Sequence, residues 1–147
     1  MLPLHGKIAV GEQKEVFLQT KEYKIIFATR IAETSITING VKVVVDPGVD
    51  RELVYDQKYR VSSRKLINIS QSSAKQRAGR AGRTQRGYCF RLYSEVEMRG
   101  FRINKTPEID NMALDTLVLR LKSLGVDNIF TFPYVKVPDT KALEQSV

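Results

Sequence analysis

The segment VKVVVD, residues 41–46, decides the fold class, because four of its six residues are β-branched. A second short run, KIIFAT at residues 24–29, is almost continuously apolar. Runs of this kind are typical of strands that a parallel sheet buries on both faces. Only 11 residues separate the two, which leaves room for little more than a short helix around residues 32–35. The sequence therefore predicts an α/β fold with a mostly parallel sheet.

The spacing of apolar residues predicts further elements around that sheet. Helices are expected at residues 12–17, 73–83 and 110–124, and a strand is expected at residues 88–93. Two moderately apolar stretches, residues 52–59 and 65–69, predict a β-hairpin that projects from the core, with the polar residues 61–64 between its strands. The helix at 110–124 has the clearest pattern, since leucines and a valine recur at helical spacing and Gly125 is a natural stop.

Length and composition restrict the class of protein. The chain has 147 residues, of which 42% are hydrophobic, so it can build one core and is not a disordered tail. Its single cysteine excludes a disulfide framework and a cysteine-rich zinc module. No apolar run approaches the roughly 18 residues that span a bilayer, and the N-terminus lacks the pattern of a signal peptide. We therefore expect an intracellular protein without a membrane partner, with nucleus and cytoplasm both open.

The positive charge is concentrated in one segment. Residues 60–105 hold 12 basic and 2 acidic residues, residues 1–59 are balanced at 8 of each, and residues 106–147 hold 4 basic and 6 acidic. The central segment should attract a polyanion. The polyanion could be nucleic acid, nucleotide phosphates or anionic lipid. The alternative is that the segment is a solvated basic face without a partner. Lipid is the weakest of these, because no helix combines a basic face with a large aromatic-rich apolar face.

This basic segment contains QRAGRAGR at residues 76–83. Ser73 followed by Gln76 fits a capping box, which begins the predicted helix at residue 73. At about 100° per residue, Gln76, Arg80 and Arg83 share one sector about 60° wide. Two glycines inside a helix cost roughly 1 kcal/mol each, so they indicate close backbone approach or an early helix end. Two guanidiniums and an amide on one face suit a phosphate group, although a helix along nucleic acid and a solvated face fit the same spacing.

The same residues resemble a known helicase family. QRAGRAGR at 76–83 is similar to motif VI of the DEAH-box helicases of superfamily 2, and ATRIAETSIT at 28–37 is similar to their motif V. Residues between 4 and 17 resemble the segment before motif V, and residues 107–125 resemble the segment after motif VI. Two motifs of this length, in the right order and spacing, are highly specific. The resemblance covers residues 2–138.

This resemblance implies the second RecA-like domain of a DEAH-box, ATP-dependent RNA helicase, which is a three-layer α/β domain. Residues 1–106 would form the RecA-like helicase C-terminal domain without its first strand. Residues 107–147 would form a connector helix that leads into a truncated winged-helix region, the start of a helical C-terminal extension. On this basis we expect the chain to be a fragment or a truncated gene product.

Motif VI holds the catalytic residues that the resemblance implies. Arg80 and Arg83 would be the arginine fingers, and Gln76 would contact the γ-phosphate of ATP or the attacking water. The phosphate loop, the DEAH tetrad and the Mg²⁺ would belong to the first RecA-like domain, and neither of the two motifs occurs in this sequence. We therefore expect this chain alone to be inactive and to hold no metal.

Three further residues match nucleotide contacts of the family. Phe17 matches the aromatic residue that stacks on adenine, although a core phenylalanine on an amphipathic helix fits the same position. Thr37 and Asn39 fall where the family touches the nucleotide, including its ribose. Asn39 departs from the usual aspartate, so this contact lacks a charge.

Motif V also faces RNA in this family. Thr29 matches its phosphate-contacting threonine, and Arg30 stands where asparagine is usual. His5 matches a segment near the RNA backbone, although a lone histidine near a terminus is more often incidental. Thr29 and Asp46 end their predicted strands, at the edge where open α/β sheets bind ligands. The hairpin would act as a wedge near the point of strand separation.

Two functions of different class are consistent with the sequence. The first, implied by the resemblance, is one lobe of an NTPase motor that couples ATP hydrolysis to RNA translocation or unwinding. Its partners would be RNA, the first RecA-like lobe of the same parent chain and a helicase activator protein. The second is a stand-alone, non-catalytic module that binds RNA or docks on an NTPase, a role that the basic segment at 60–105 would serve.

Overall fold

A computed structural model of the chain describes residues 1–18, 20, 22–34, 36–56 and 58–146. The chain forms two compact units, of which the first contains Met1–Asp50 and Asn68–Lys105 and the second contains Arg51–Ile67 and Thr106–Val147. The domain division expected between residues 106 and 107 stays a prediction. Within the described ranges, no helix is long and apolar enough to cross a membrane.

Strands and short helices follow one another along the described residues. In chain order they are β1 (Leu2–Leu4), α1 (Val10–Phe17), β2 (Ile26–Ala28), α2 (Ile31–Thr34), β3 (Val43–Asp46), β4 (Val49–Asp56), β5 (Val61–Asn68), α3 (Gln71–Ala78), β6 (Tyr88–Arg91), α4 (Glu95–Gly100), α5 (Asp115–Ser123) and α6 (Thr140–Glu144). Single 3₁₀ turns lie at Glu108–Asp110 and Ile129–Thr131. Ser35, the last residue of the short helix predicted at 32–35, lies outside the described residues.

Parallel strand pairs organise the first unit. β1 pairs with β2, and β3 pairs with β6, which places Leu4 opposite Ala28 and Asp46 opposite Arg91. α1 connects β1 to β2 and packs on β1, where Val16 and Leu4 are both buried. These pairs confirm the predicted α/β class and its parallel strands. In the part of the chain that is described, the hydrogen bonds form two-stranded sheets rather than one continuous sheet.

The prediction that these strands are buried on both faces is wrong for this chain. The cross-strand neighbours Val43 and Tyr88, and likewise Val45 and Phe90, are each more than half exposed. Alternate residues of a strand share a face, so these four side chains form one exposed apolar face. Asp46 is buried on the opposite face. The β-branched composition therefore predicted the strand but not which of its faces is covered.

α3 begins and ends at different residues from those predicted. Ser70 is its N-cap and accepts a 3.1 Å hydrogen bond from the backbone N–H of Ser73, so the predicted capping box of Ser73 and Gln76 is wrong. The helix ends at Ala78, and Gly79 is its C-cap. The predicted helix face therefore does not exist beyond residue 78. Of the two explanations for glycine in this segment, an early helix end is the one that holds at residue 79.

The pattern of apolar residues did not predict β1 or α4. Ser94 caps α4 and accepts from the backbone N–H of Glu97, while the Glu97 carboxylate accepts from the backbone N–H of Ser94 at 2.7 Å. This reciprocal capping box stabilises a helix that is too short to show a periodic pattern. Elsewhere the predicted bounds were close: α1 begins two residues before the expected start, and β6 ends two residues before the expected end.

The predicted hairpin is present, since β4 pairs with β5. The first strand, β4, begins and ends three residues before the predicted bounds of 52 and 59. The second, β5, is longer than predicted, because residues 61–64, which were expected to connect the strands, belong to it. Arg60, immediately before β5, has a left-handed φ of 52°. Few residues with a side chain adopt this backbone conformation outside turns, so the chain reverses before residue 61 rather than after it.

α5 forms the core of the second unit. Its apolar face continues into a buried cluster with two residues from the following segments. The members of this cluster are Leu114, Val118, Leu121, Ile129 and Leu143. The helical periodicity of the sequence therefore identified the core face as far as Leu121, whereas Leu124, the last residue of the predicted face, is 74% exposed.

The bounds of α5 differ from the prediction at the N-terminal end. Glu108–Asp110 forms a separate 3₁₀ turn, so the helix begins at Asp115 rather than at residue 110. Gly125 ends it with a φ of 82°, and the backbone N–H of Val126 donates to Leu121 O at 3.1 Å. This bonding pattern is a Schellman motif, which requires the left-handed conformation that glycine adopts readily.

Candidate functional site

Two loops of the first unit face each other. The first, which we name the threonine loop, is residues 36–40 between α2 and β3; the second, the arginine loop, is residues 79–85 after α3. The backbone N–H of Gly40 donates to Thr84 Oγ1 at 3.4 Å, and Gln85 Nε2 donates to Gly40 O at 3.3 Å. These bonds bring the end of the segment at 28–37 next to the end of the segment at 76–83.

The backbone of the arginine loop packs closely against Gly87, two residues beyond the end of the loop. A Cβ atom at that position would lie 2.1 Å from the carbonyl oxygen of Ala81, which is itself buried. A Cβ at Gly79 would lie 3.4 Å from its nearest neighbour, and one at Gly82 would meet nothing within 4 Å. The close backbone approach that the sequence predicted for the glycines of this segment therefore lies at Gly87 instead.

Arg80 and Arg83 both reach the threonine loop. Arg80 Nη1 donates to the carbonyl oxygen of Ile36 at 3.3 Å, and Arg83 Nη1 donates to Thr37 Oγ1. Thr37, Arg80 and Arg83 are all predicted nucleotide contacts, and the structure brings them together. They meet because the chain turns after residue 78, and not because they share a helix face.

The electrostatics of this arrangement favour an anion. Among the described residues, Arg80 Nε is buried and has no hydrogen-bond partner. Burial lowers the pKa of Arg80, and the positive charge of Arg83 lowers it further. An unpaired buried donor and two neighbouring positive charges both raise the free energy of the site, and a bound anion would relieve both. A phosphate with several oxygens matches the forked donors of arginine.

The other predicted nucleotide contacts lie on three different elements. Asn39 is exposed on the threonine loop, and Gln76 is exposed on α3. Phe17 is the last residue of α1, and it is 45% exposed. This exposure argues against the interpretation of Phe17 as a core side chain. The structure therefore places Asn39 on the same loop as Thr37, whereas Gln76 and Phe17 lie on helices.

The predicted RNA contacts gather at one edge of a strand pair. The register of β1 and β2 places His5 and Thr29 directly after two parallel strands, and the backbone N–H of Thr29 donates to Leu4 O at 3.0 Å. Thr29 and Arg30 are exposed, whereas His5 is half-buried and its Nδ1 accepts from the backbone N–H of Lys7 at 3.3 Å. The carboxyl ends of parallel strands are the edge where open α/β sheets bind ligands.

A buried network of charges links α2, α3 and β3. Arg77 Nε donates to Glu33 Oε2 at 3.0 Å, and Arg77 Nη1 donates to Asp46 Oδ1 at 2.9 Å. Lys105 Nζ lies 3.3 Å from Glu33 Oε1. Burial acts to raise the pKa of Glu33, but hydrogen bonds from Ser73 and Arg77, together with the positive charges of Lys105 and Arg77, lower this pKa below its ordinary value. Glu33 therefore stays ionised inside the protein.

Asp46 is fully engaged within the fold. Tyr93 Oη donates to its Oδ2 at 2.9 Å, and the backbone N–H of Gly48 donates to its Oδ1 at 3.1 Å. Burial, and then the hydrogen bond to Asp46, raise the pKa of Tyr93 to about 12. Asp46 does end a strand, as predicted, but its side chain is buried. It supports the surrounding elements instead of facing a ligand.

Sequence reasoning missed this network. The sequence predicted no role for Arg77, Glu33 or Tyr93. One feature of the sequence could have indicated it: Glu33 is a carboxylate on the short predicted helix, and its immediate neighbours are small or apolar residues. Since 44 residues separate Glu33 from Arg77, no local pattern could pair them.

The donor set of the two loops does not fit a metal cation. Its side chains are guanidiniums, amides and hydroxyls, and the two loops contain no carboxylate. The two guanidinium charges repel a metal cation, and no negative charge within the loops offsets them. Across the described ranges, no group of three or more His, Cys, Asp and Glu side chains could hold a metal ion. The site is therefore suited to the phosphates of a ligand and not to a metal.

Comparisons with known proteins identify the family of the chain. Residues 1–85 match the family described as the helicase conserved C-terminal domain. The chain is 46% identical over 147 residues to "ATP-dependent RNA helicase DEAH11, chloroplastic" of Arabidopsis thaliana, covering 99% of this chain and 8% of that protein. It is 44% identical over 149 residues to "Probable ATP-dependent RNA helicase DHX34" of Homo sapiens, covering 100% of this chain and 13% of that protein.

A solved structure with the same fold extends the comparison. The Escherichia coli DEAH/RHA helicase HrpB superposes with a TM-score of 0.91 at 29% identity, covering 98% of this chain and 19% of that chain. The fold is thus that of the RecA-like helicase C-terminal domain. The chain spans less than a quarter of the length of each protein named here.

Proposed function

This chain belongs to the helicase conserved C-terminal domain family, and we propose that it is the second RecA-like lobe of a DEAH-box, ATP-dependent RNA helicase. In the parent protein the lobe would take part in ATP hydrolysis that is coupled to RNA translocation or unwinding. One observation carries this proposal: Arg80 and Arg83 converge on the threonine loop, while Arg80 keeps a buried Nε without a partner among the described residues.

The arginine loop and the end of α3 would supply the catalytic side chains. ATP with its Mg²⁺, when bound between the two lobes, supplies the phosphoryl group, and the metal ligands would come from the first lobe. Arg80 and Arg83 would donate hydrogen bonds to phosphate oxygens and stabilise the charge that develops during phosphoryl transfer. Gln76 would contact the γ-phosphate or orient the attacking water.

Phe17, Thr37 and Asn39 would position the nucleotide. The exposed ring of Phe17 can stack on a base, which requires an open aromatic face. Thr37 already accepts a hydrogen bond from Arg83, so its hydroxyl would hold that arginine in place before the phosphates arrive. The amide of Asn39 can donate and accept hydrogen bonds to ribose hydroxyls, although it carries no charge.

RNA would bind at the carboxyl edge of β1 and β2. Thr29 and Arg30 are exposed there, and His5 follows the neighbouring strand. A hydroxyl and a cation at one edge suit the phosphodiester backbone rather than the bases, so the proposed binding would not depend on the base sequence. The hairpin of β4 and β5 would stand where the RNA strands separate.

The test uses the full-length parent with Arg80→Ala and Arg83→Ala. Each variant should lose RNA-stimulated ATP hydrolysis by about 10³-fold or more, the range typical of arginine fingers. RNA affinity should change little, because the proposed RNA contacts lie on other elements. Steady-state ATPase at saturating RNA and fluorescence anisotropy with labelled RNA measure the two quantities.

Arg86→Ala is the matched control, because Arg86 is an exposed arginine three residues beyond Arg83. It removes the same charge from the same segment without touching the threonine loop contacts, and should retain the parent rate. If Arg80→Ala and Arg83→Ala also hydrolysed ATP at the parent rate, the arginine-finger assignment would be wrong.

A stand-alone, non-catalytic module that binds RNA or docks on an NTPase is the second candidate. The observation that favours it is the charge of residues 60–105, with 12 basic and 2 acidic residues. Binding of RNA to this chain alone should then weaken steeply with salt, because counterion release dominates such binding. An affinity that stayed constant from low to high salt would exclude this candidate.

A further inference from the structure

Arg77 is the arginine of the segment at 76–83 that forms ion pairs with buried carboxylates. Its side chain is 15% exposed, and its fork is divided between two carboxylates, with Nε on Glu33 and Nη1 on Asp46. The same Nη1 lies 3.3 Å from the carbonyl oxygen of Val49. With Lys105 beside Glu33, this group has two negative and two positive charges. It is electrically balanced, so Arg77 has no surplus charge to offer a phosphate.

This ion network lies one helical turn from each proposed binding region. On one side, the backbone N–H of Glu33 donates to Arg30 O at 2.9 Å, directly after the proposed RNA contacts. On the other side, the backbone N–H of Arg80 donates to Arg77 O at 3.1 Å, where the arginine loop begins. The pair of Glu33 and Arg77 is therefore a direct side-chain link between the RNA-facing segment and the arginine loop.

We propose that Arg77 is a positioning residue, held by Glu33 and Asp46, that fixes the arginine loop relative to the RNA-facing segment. This inference rests on the proposed function, because positioning matters only if Arg80 and Arg83 act on ATP. Arg77 touches neither nucleotide nor RNA. Its role is to hold the start of the arginine loop, so that the distance between RNA bound near Arg30 and phosphate bound near Arg80 stays fixed.

The chemistry of arginine makes this role specific. A guanidinium is planar and presents Nε and Nη1 in different directions, so one side chain can bond two carboxylates on two elements. A lysine in the same place keeps the charge but has a single nitrogen, and it would bond one carboxylate well or both poorly. Arg77→Lys should therefore shift the loop without removing the buried positive charge, which is the more damaging change.

The experiment measures kcat and KM for ATP in the full-length parent carrying Arg77→Lys or Glu33→Gln. A displacement of the arginine loop should lower the RNA-stimulated kcat by about 10- to 100-fold, since misplacement by about 1 Å costs that much. The KM for ATP should change less than about threefold, because the groups that bind ATP are still present. A purely structural role would instead lower the active fraction and leave kcat per folded molecule unchanged.

A double variant tests whether the two residues act through one contact. If Arg77→Lys and Glu33→Gln both act by breaking their shared ion pair, the double variant should be no slower than the worse single variant. Arg99→Lys and Glu95→Gln form a matched control, because this pair is a surface ion pair with both side chains more than four-fifths exposed. The control variants should keep the parent kcat.

Each outcome decides the matter. A kcat within twofold of the parent in folded Arg77→Lys would overturn the positioning role, as would a loss that tracks only the folded fraction in a thermal melt. If Arg77→Lys failed to fold, Glu33→Gln would give the decisive kcat, since its amide still accepts a hydrogen bond. Arg80→Ala is included in the same series. If Arg80→Ala kept the parent rate, the proposed function itself would be wrong. If Arg80→Ala were inactive while Arg77→Lys kept full activity, only the positioning role of Arg77 would be wrong.

Discussion

The phenol of Tyr93 donates a 2.9 Å hydrogen bond to Oδ2 of Asp46, the carboxylate whose other oxygen bonds Arg77. Asp46 is 1% exposed, so water does not replace a lost partner. Tyr93→Phe should therefore lower the free energy of unfolding by about 1–3 kcal/mol, the cost of an unpaired buried acceptor. Urea unfolding followed by tyrosine fluorescence measures the change. Tyr88→Phe, at an exposed tyrosine, should have little effect, and equal losses in both variants would contradict a specific role for the Tyr93 hydroxyl.

Gly48 gives a second prediction about the same tyrosine. Its φ is +75°, and an added Cβ would lie 2.5 Å from Tyr93 Cδ1, where no heavy atom fits. Gly40 has a φ of +77° but would place a Cβ in open space. Both substitutions to alanine suffer the backbone cost of a left-handed conformation, about 1 kcal/mol. Only Gly48→Ala should also displace Tyr93.

The comparison of Gly48→Ala with Gly40→Ala isolates that displacement. Gly48→Ala should unfold at a clearly lower denaturant concentration, and it should lose the stabilising bond between Tyr93 and Asp46. In a background of Tyr93→Phe, the difference between the two glycine variants should persist, because the ring and not the hydroxyl causes the clash. Equal unfolding midpoints for the two glycine variants would show that the Tyr93 ring can move away from the added Cβ without a loss of stability.

How much the sequence could predict depended on the range of the interaction. The strand at 43–46 followed from β-branched composition, whereas the strand at 88–91 and the core face of α5 followed from the spacing of apolar residues. Helix bounds were predicted less well, because a cap depends on one side chain. Ser70 and Ser73 were both available as caps in the sequence, and only the three-dimensional structure shows that Ser70 accepts the capping bond while Ser73 lies inside α3.

The site could also be predicted only where it depends on single residues or on short segments. The chemistry of Arg80 and Arg83 could be read from residue type, and the structure brings both to the threonine loop. The pairing of Arg77 with Glu33 could not be read, since it depends on how α2 and α3 pack. Charged residues 44 positions apart carry no mutual pattern in a single sequence. The sequence therefore predicted which side chains could bind a ligand, but not which other side chains hold those side chains in position.

The lowered pKa of Glu33 predicts how stability depends on pH. Its carboxylate gives up a proton more readily when folded than when unfolded, because the hydrogen bonds from Ser73 and Arg77, together with the positive charges of Lys105 and Arg77, overcome burial. Its contribution to stability is therefore present above the ordinary pKa of 4.5 and is lost as the pH falls from there through the folded pKa. Unfolding free energies measured from neutral to acid pH should fall less for Glu33→Gln than for the unchanged chain.

Glu95→Gln is the control for this pH dependence. Glu95 is an exposed carboxylate of α4, and its only ion pair is a 3.8 Å contact with Arg99 among the described residues. This variant should reproduce the acid dependence of the unchanged chain. Parallel curves for the unchanged chain and Glu33→Gln would mean that Glu33 titrates alike in the folded and unfolded states.

Arg30 offers the last prediction, because the resemblance to DEAH-box helicases aligns it with a position where asparagine is usual. Its side chain is exposed beside Thr29 at the carboxyl edge of β2, so it can reach an RNA phosphate. One phosphate contact releases about one counterion, so Arg30→Asn in the full-length parent should weaken RNA binding and reduce the slope of log affinity against log salt by about 1. Lys14→Asn removes an exposed cation from α1 and should leave the slope unchanged. If Arg30→Asn also left it unchanged, Arg30 would make no phosphate contact, and the RNA-binding edge would depend on Thr29 and His5.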